Sequence, residues 1–483
     1  MNAQRQLKIL VLGAGMSGVL AGIKLKQAGI GNFEILEMAD DVGGTWRDNT
    51  YPGLACDVPA HNYDYSFEHN WKWSGLYAKG PELKAYFKHC AHHYGLIPHL
   101  RLRSCVSEIR RVNHRWQVLT TDGKQREADI VINAMGILCH PKLPEIEGLD
   151  SFRGARFHSA RWDHSVALDG QHIGVIGTGS TASQITVALA ERAKHYSLFQ
   201  RTPQWVAPAM ELKRPWLLRQ LHRFIPGYSR GVGSLQGRLI EQLGRGVTGD
   251  SARTYRFVEK LCRHHLSSVR DPGLRAVLTP DYKVGCRRLV FSDGFYKAIQ
   301  APQAELVTSA IERIEVNGVR TKDGRLHEVD VLVLATGFHA LNYTYNFDVV
   351  NNQGESLRDR WSEGAEALRS VAVTGFPNYF MLIGPRSPVG NIGLTSIAEA
   401  QMGYLMELIQ LLRNGRARQI DVDPEAQRRY SDYLDAGIGN TVWGTGCVGW
   451  YLDRRGKPML YPYNPDVFRH SMRTPDLSEF VLA

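Results

Sequence analysis

Apolar residues in this chain fall into short runs that break at glycines and resume at helical spacing. "KILVLGAGMSGVLAGIKLKQAG" opens on a run too short and too uniform for an amphipathic helix. It predicts a buried strand, a tight turn and then a helix. "NFEILEMA" follows as a second strand, and "QHIGVIGTGSTASQITVALAERAKHYSLFQRTPQW" repeats the whole design. Two more apolar runs end in glycine, "ADIVINAMG" and "VDVLVLATGF" (329–338), and both read as strands returning to these sheets. Strands alternating with helices predict an α/β fold with parallel sheets. The late run places the return to the first unit near residue 330. Residues 1–145 and 330–483 then form one interrupted domain, and residues 146–329 form a second domain inserted into it. Between Arg201 and Cys286 the pattern turns helical and rich in Arg and His, predicting a mostly helical insertion over about 205–285. "NYFMLIGPRSPVGNIGLTSIAEAQMGYLMELIQLL" then gives a strand, a Gly/Pro loop and a long amphipathic helix.

The glycines give these turns chemical meaning. Gly13, Gly15 and Gly18 form G-x-G-x-x-G after the first strand, with Ala14 and Ser17 inside the turn. The first glycine permits the tight turn, and the second lets backbone approach a pyrophosphate. The third lets the helix pack on the strand, and the helix N-terminus offers its amides to the anion. A triad alone carries little, since a chain this rich in glycine yields roughly 0.5 such matches by chance. Its flanking strands and helix carry the argument. Glu37 ends the second strand, where a carboxylate binds a ribose diol and repels a 2′-phosphate, predicting FAD or NAD. The second turn reads G-x-G-x-x-A in Gly177, Gly179 and Ala182, with Thr178, Ser180 and Thr181 between them. Its following strand ends in Arg201 and Thr202, a pair suited to a 2′-phosphate and hence to NADPH. The alternative for Arg201 is an ordinary surface arginine. The fold class expected is therefore α/β with two Rossmann-like dinucleotide-binding domains, an FAD domain interrupted by an NADPH domain.

Composition adds exclusions. The 483 residues allow two or three domains, each with a full core. The net charge of +10 comes from dispersed Lys and Arg, and no nucleic-acid recognition motif accompanies it. A solvated surface is expected, with no nucleic-acid partner. No apolar run approaches the ~20 residues of a membrane span. The first residues lead at once into the strand pattern, leaving no room for a signal peptide. The seven cysteines are scattered without a C-x-x-C. A reducing cytoplasm fits that usage, and zinc ribbons and redox dithiol motifs do not. His264 and His265 are adjacent and cannot share a helix face as a metal pair, so no metal is expected.

Ahead of the second glycine turn stands "FRGARFHSARWD" (152–163), which suits neither a clean helix nor a clean strand. Its spacing, Phe152-x-Gly154-x-x-x-His158-x-x-x-Trp162-Asp163, resembles the fingerprint of class B flavoprotein monooxygenases in the type I Baeyer–Villiger form. "GGTWRDNTYPGLACDVPAHNYDYSF", with Gly44, Trp46, Tyr51-Pro52-Gly53 and Asp57, is similar to another motif of these enzymes. So are "LTPDYKVGCRRLVFSDGFY", "VLATGF" and "WGTGCVGWYLDRRGKPMLYP", and the resemblance spans nearly the whole chain.

The resemblance implies an activity. NADPH reduces FAD, O₂ adds at the flavin C4a carbon, and the resulting peroxide inserts oxygen beside a ketone carbonyl to give an ester or lactone. A permanently charged guanidinium answers the negative charge in that sequence, and the motif position assigns it to Arg288. Asp57 matches the acidic partner that orients it. The resemblance further implies cofactor contacts at Thr45, Trp46, Tyr63, Val106, Asn391 and Ile392, the last two in a loop that also lines the substrate pocket. Arg287 stands where the family usually has Lys and is expected on the NADP phosphate. A one-residue shift would exchange it with Arg288. His158 and Trp162 are expected to position NADP(H) at a joint between domains, although Trp46 and Trp162 also read as core aromatics and His158 as a surface histidine. Trp443, Trp450 and Tyr451 suggest an apolar or aromatic ketone, or simply core. The rivals are an N- or S-oxygenating flavin-containing monooxygenase, an NADPH-dependent flavin reductase, which the missing C-x-x-C disfavours, and a nucleotide-binding scaffold without turnover. Oligomeric state is not readable from the sequence.

Overall fold

The computed structural model describes residues 5–212, 215–225, 227–344, 347–390 and 392–483. Two five-stranded sheets with only parallel neighbours organise it. The first runs Tyr379–Met381, Ile130–Asn133, Ile9–Leu12, Phe33–Leu36, Leu100–Arg101. Parallel strands covered on both faces need apolar residues at every position rather than alternating ones. Ile9–Leu12 obeys, with all four side chains fully buried. Each such side chain contributes roughly 1.5–3 kcal/mol by leaving water. The helix Met16–Gln27 crosses one face, and the long helix Leu394–Arg413 packs beside it. Arg413 Nη1 donates to the Ala28 carbonyl at 2.7 Å, tying the two together.

The second sheet runs Ala155–His158, Val331–Leu334, His172–Ile176, His195–Phe199, Ala304–Val307. Here the structure corrects one expectation. The run 329–338 does not carry the chain back into the first sheet. Val331–Leu334 lies between Ala155–His158 and His172–Ile176 in the second sheet, and the first sheet is rejoined only at Tyr379–Met381. In both sheets the glycine-rich turn leaves the carboxyl end of an inner strand, where neighbouring connections diverge and open a crevice.

The stretch between the second nucleotide strand and Cys286 is largely helical, as its pattern predicts. It holds Trp216–Phe224, Tyr228–Val247, Ala252–Leu266 and Pro272–Val277, after a short strand Val206–Ala207 paired with Val290–Phe291. Tyr228–Val247 reaches the first domain, where Asn62 Nδ2 donates to the Gly233 carbonyl at 2.9 Å. A Cβ on Gly233 would stand 2.8 Å from the His61 carbonyl oxygen, so only glycine allows that approach.

The chain crosses between the sheets along two adjacent connections. Lys142 N–H donates to the Gly337 carbonyl at 2.8 Å, Thr336 Oγ1 to the Lys142 carbonyl at 2.6 Å, and His339 N–H to the His140 carbonyl at 2.9 Å. Pro141 and Phe338 form an antiparallel bridge between them. Among the described residues no helix is long and apolar enough to cross a membrane.

Candidate active site

The first crevice is shaped by its glycines. Gly13 has φ +93° and donates its N–H to the Leu36 carbonyl at 2.7 Å, closing the turn. A Cβ on Gly18 would fall within bonding distance of the Gly13 carbonyl oxygen, so the helix meets the turn only without a side chain there. Gly15 caps the helix and makes no side-chain bond to the first-turn amides, which stay available to an anion. Ser17 is buried in that first turn.

Glu37 stands at the end of the neighbouring strand with 5 % of its side chain exposed. Its carboxylate accepts from Ala14 N–H at 2.8 Å and Ala39 N–H at 2.9 Å, and pairs with Arg47 at 2.9 Å. Burial alone would lower the Arg47 pKa; the Glu37 and Asp48 carboxylates outweigh it and hold the guanidinium protonated. Sequence reading assigned Glu37 but missed Arg47, whose only signal was a cation one turn into "GGTWRD". The charge it brings would otherwise be absent beside a buried carboxylate. Across the crevice a short helix, Thr45–Asp48, carries Trp46. The Trp46 indole N–H donates to Tyr63 Oη at 3.3 Å, and the rings meet edge to face 5.5 Å apart. Burial raises the Tyr63 phenol above its ordinary pKa, keeping it protonated. Val106 and Ile392 are buried, and Asn391 lies outside the described residues. A tight left-handed turn, free helix amides and an anchored carboxylate fit an adenine dinucleotide.

The second crevice repeats these features. Gly177 has φ +123° and donates to the Phe199 carbonyl at 3.2 Å. Gly179 caps the helix Ser180–Leu189, and a Cβ there would meet nothing within 4 Å, so open space faces the turn. Thr178 Oγ1 donates to the Thr202 carbonyl at 2.8 Å, fastening the turn to the next strand's end. Thr181 is half-buried, Ala182 is buried against the sheet, and Arg201 is exposed at the rim. An exposed guanidinium beside open helix amides fits a phosphorylated dinucleotide.

Between the crevices the two domains meet. Tyr51 Oη donates to Gln184 Oε1 at 2.9 Å, and Gln184 Nε2 donates to the Ala55 carbonyl at 3.0 Å. Burial pushes the Tyr51 phenol up to about 12, so it remains a donor. Gln184 sits on the second nucleotide helix and was not singled out in the sequence; nothing there distinguishes it from any helical glutamine. Asp57 lies in the strand Ala55–Pro59, and its carboxylate takes Arg288 Nη2 at 2.9 Å. The side chains of Arg288 and Asp57 remain 36 % and 20 % exposed, open to a ligand. Asp57 raises the Arg288 pKa further above its high ordinary value. Arg287 turns the other way. Its Nε donates to the Val448 carbonyl at 2.9 Å and its guanidinium covers the Tyr282 ring at 4.8 Å. The adjacent Cys286 is joined to Cys447 by a disulfide, with Cα atoms 5.2 Å apart. The scatter of the seven cysteines, read above as fitting a reducing cytoplasm, did not point to this pair; the partners are 161 residues apart and carry no spacing signal. The other five are free.

The stretch 152–163 resolves into an edge strand, Ala155–His158, and one 3₁₀ turn, Ser159–Arg161. Gly154 has no room for a Cβ beside the Asp330 carbonyl and the Phe152 ring. His158 is buried rather than exposed, with Nδ1 accepting from Ala160 N–H at 3.1 Å and Nε2 donating to the Gly337 carbonyl at 3.0 Å. It thereby joins the second sheet's edge to the returning connection. Trp162 is buried and packs edge to face on Phe157, with centroids 4.8 Å apart.

Two dinucleotide crevices, with an arginine–carboxylate pair joining their domains, define a two-nucleotide oxidoreductase. Residues 6–226 match the family model described as flavin-binding monooxygenase-like. A Baeyer–Villiger monooxygenase of Streptomyces coelicolor is 37 % identical, covering 99 % of this chain and 93 % of its own. An uncharacterised monooxygenase of Mycobacterium tuberculosis is 44 % identical, over 95 % and 92 %. The structure of cyclohexanone monooxygenase from Rhodococcus sp. Phi1, bound to NADP⁺, superposes with a TM-score of 0.88 at 26 % identity, covering 99 % of both chains. The chain belongs to the flavin-binding monooxygenase-like family and, within it, to the Baeyer–Villiger monooxygenases.

Proposed function

We propose that this monooxygenase holds FAD in the first crevice and NADPH in the second, and oxygenates an apolar or aromatic ketone to an ester or lactone where Arg288 meets Asp57. The observation that carries the reading is the Arg288–Asp57 pair, held at 2.9 Å between the two crevices. The related Rhodococcus enzyme binds NADP⁺. FAD when bound supplies the activation of O₂, one oxygen atom entering the product and the other leaving as water.

The chain's own residues do the rest. In the first crevice the open amides after Gly15 take the pyrophosphate, and Glu37 faces the ribose. Arg47 pairs with that carboxylate at 2.9 Å and holds it in place. In the second, Arg201 and Thr202 stand where a 2′-phosphate would bind. Arg288 keeps its proton throughout, since Asp57 holds its pKa high, so it contributes fixed positive charge and no proton transfer. Charge that develops on the ketone oxygen meets a guanidinium already oriented by Asp57. That orientation costs nothing at the moment of reaction. His158 and Trp162 shape the joint, and His158 holds no proton on Nδ1 while it accepts from Ala160.

Arg288→Ala tests this directly. NADPH oxidation in air should continue, while ester formed from a phenyl-ketone panel should fall at least about 100-fold, hydrogen peroxide taking its place. Ester formation within a few-fold of the parent enzyme would remove Arg288 from the reaction.

A further inference from the structure

Cys286 directly precedes the two arginines, and Cys447 directly precedes Val448, whose carbonyl receives Arg287 Nε. The Trp443 indole N–H donates to the Gly285 carbonyl at 3.1 Å, on the other side of Cys286. Cys286, Val442, Trp443, Cys447, Tyr451 and Leu460 form one buried cluster. The backbone of the arginine turn is thus supported by the C-terminal segment, through one covalent bond, two hydrogen bonds and an apolar cluster. The Arg288 head group reaches the opposite way, to Asp57 on the first domain. A guanidinium spanning two domains is placed only as well as its own backbone is held.

We propose that the Cys286–Cys447 disulfide is a reducible positioning clasp. Closed, it sets the arginine turn so that Arg288 lies against Asp57; opened by a dithiol reductant, it releases the turn and oxygen is lost as peroxide. The proposal rests on the role given to Arg288 above. Both sulfurs are buried, but Cys447 lies between exposed Gly446 and Val448, whereas Cys286 follows buried Gly285. Attack therefore falls on Cys447. A reductant thiolate bonds to Cys447 Sγ, the protein S–S bond breaks, and its electron pair leaves on Cys286 Sγ, which takes a proton. The second reductant thiol, deprotonated, displaces Cys447 in turn. Two protein thiols and one reductant disulfide result, a two-electron transfer.

Holoenzyme purified in air, denatured without reductant, should yield five alkylatable thiols, and seven after reduction. Seven without reductant overturn the proposal. Native enzyme treated with dithiothreitol should form about tenfold less ester per NADPH consumed, with bound flavin and the KM for NADPH unchanged. Cys447→Ser should match the reduced enzyme and no longer respond to dithiothreitol. Equal coupling in the two forms, or loss of flavin along with it, overturns the clasp as a positioning device. Hydrogen exchange across residues 284–290, in enzyme without ketone, separates this from the role of Arg288. Faster exchange on reduction supports the clasp even where neither form makes ester, and unchanged exchange overturns it.

Discussion

Gly18 has no side chain because the Gly13 carbonyl occupies the place where one would begin. Gly18→Ala should therefore cost about 1–3 kcal/mol through overpacking and empty the first crevice, read as a lower Tm and loss of flavin absorbance. An alanine variant with full flavin content would show that the helix can shift instead. His158 sets a second residue-scale expectation. Burial lowers its pKa, Arg161 lowers it further, and the Gly337 carbonyl only partly offsets them. With a native pKa below the unfolded value of about 6.5, the unfolded chain binds the extra proton first as pH falls. The neutral ring's contribution is complete above that value and is lost progressively below it. Between pH 8 and 5 the Tm of the parent should fall more steeply than that of His158→Asn; parallel curves would argue against the link. The glycines and Glu37 were legible because a nucleotide turn demands those residue types at that spacing. Arg47 was not, because its meaning depends on a carboxylate brought beside it only by folding.

At the scale of elements, both nucleotide strands and helices appear where periodicity put them, and the run at 331–334 is a strand as expected. Its sheet was not legible. Buried parallel strands carry apolar residues on both faces, so Val331–Leu334 holds no mark that selects Ile173–Ile176 over Leu10–Leu12 as neighbour. That choice is made by the connections. Phe152–Asp163 looked irregular because it joins a four-residue edge strand to a single three-residue 3₁₀ turn, with irregular residues at both ends. The second nucleotide helix has a duty its sequence did not disclose. Gln184 grips Tyr51 and the Ala55 backbone on the first domain, and a Cβ on Gly53 would stand 2.7 Å from the Gln184 carbonyl oxygen. Gln184→Ala should retain flavin, lower stability by about 1–2 kcal/mol and slow flavin reduction by NADPH in stopped flow. An unchanged reduction rate would mean that this contact does not set how the domains approach.

For the whole molecule, the duplication of one nucleotide-binding plan was readable from two glycine turns, whereas the return to the first sheet was read from the run 329–338 and is made at Tyr379–Met381. The meeting of the domains was only partly readable. Asp57 and Arg288 are separated by 231 residues, and the motifs named them, but only the fold brings them to 2.9 Å. The disulfide had no herald at all, since scattered cysteines look the same whether paired or free.

The paired connections between the sheets carry one more consequence. Because the outgoing and returning connections are bridged at Pro141 and Phe338, the two chain ends of the inserted domain lie side by side, and the Cys286–Cys447 bond is its further covalent tie to the host. Such a domain is a cassette: what lies between the two chain ends can be exchanged for the corresponding part of a relative that keeps the partners of Cys447 and Asp57. A chimaera joined at this bridge should take the coenzyme preference of the donor and keep the flavin of the host, as NADPH and NADH oxidation rates would show. Evolution has had the same joint available to it.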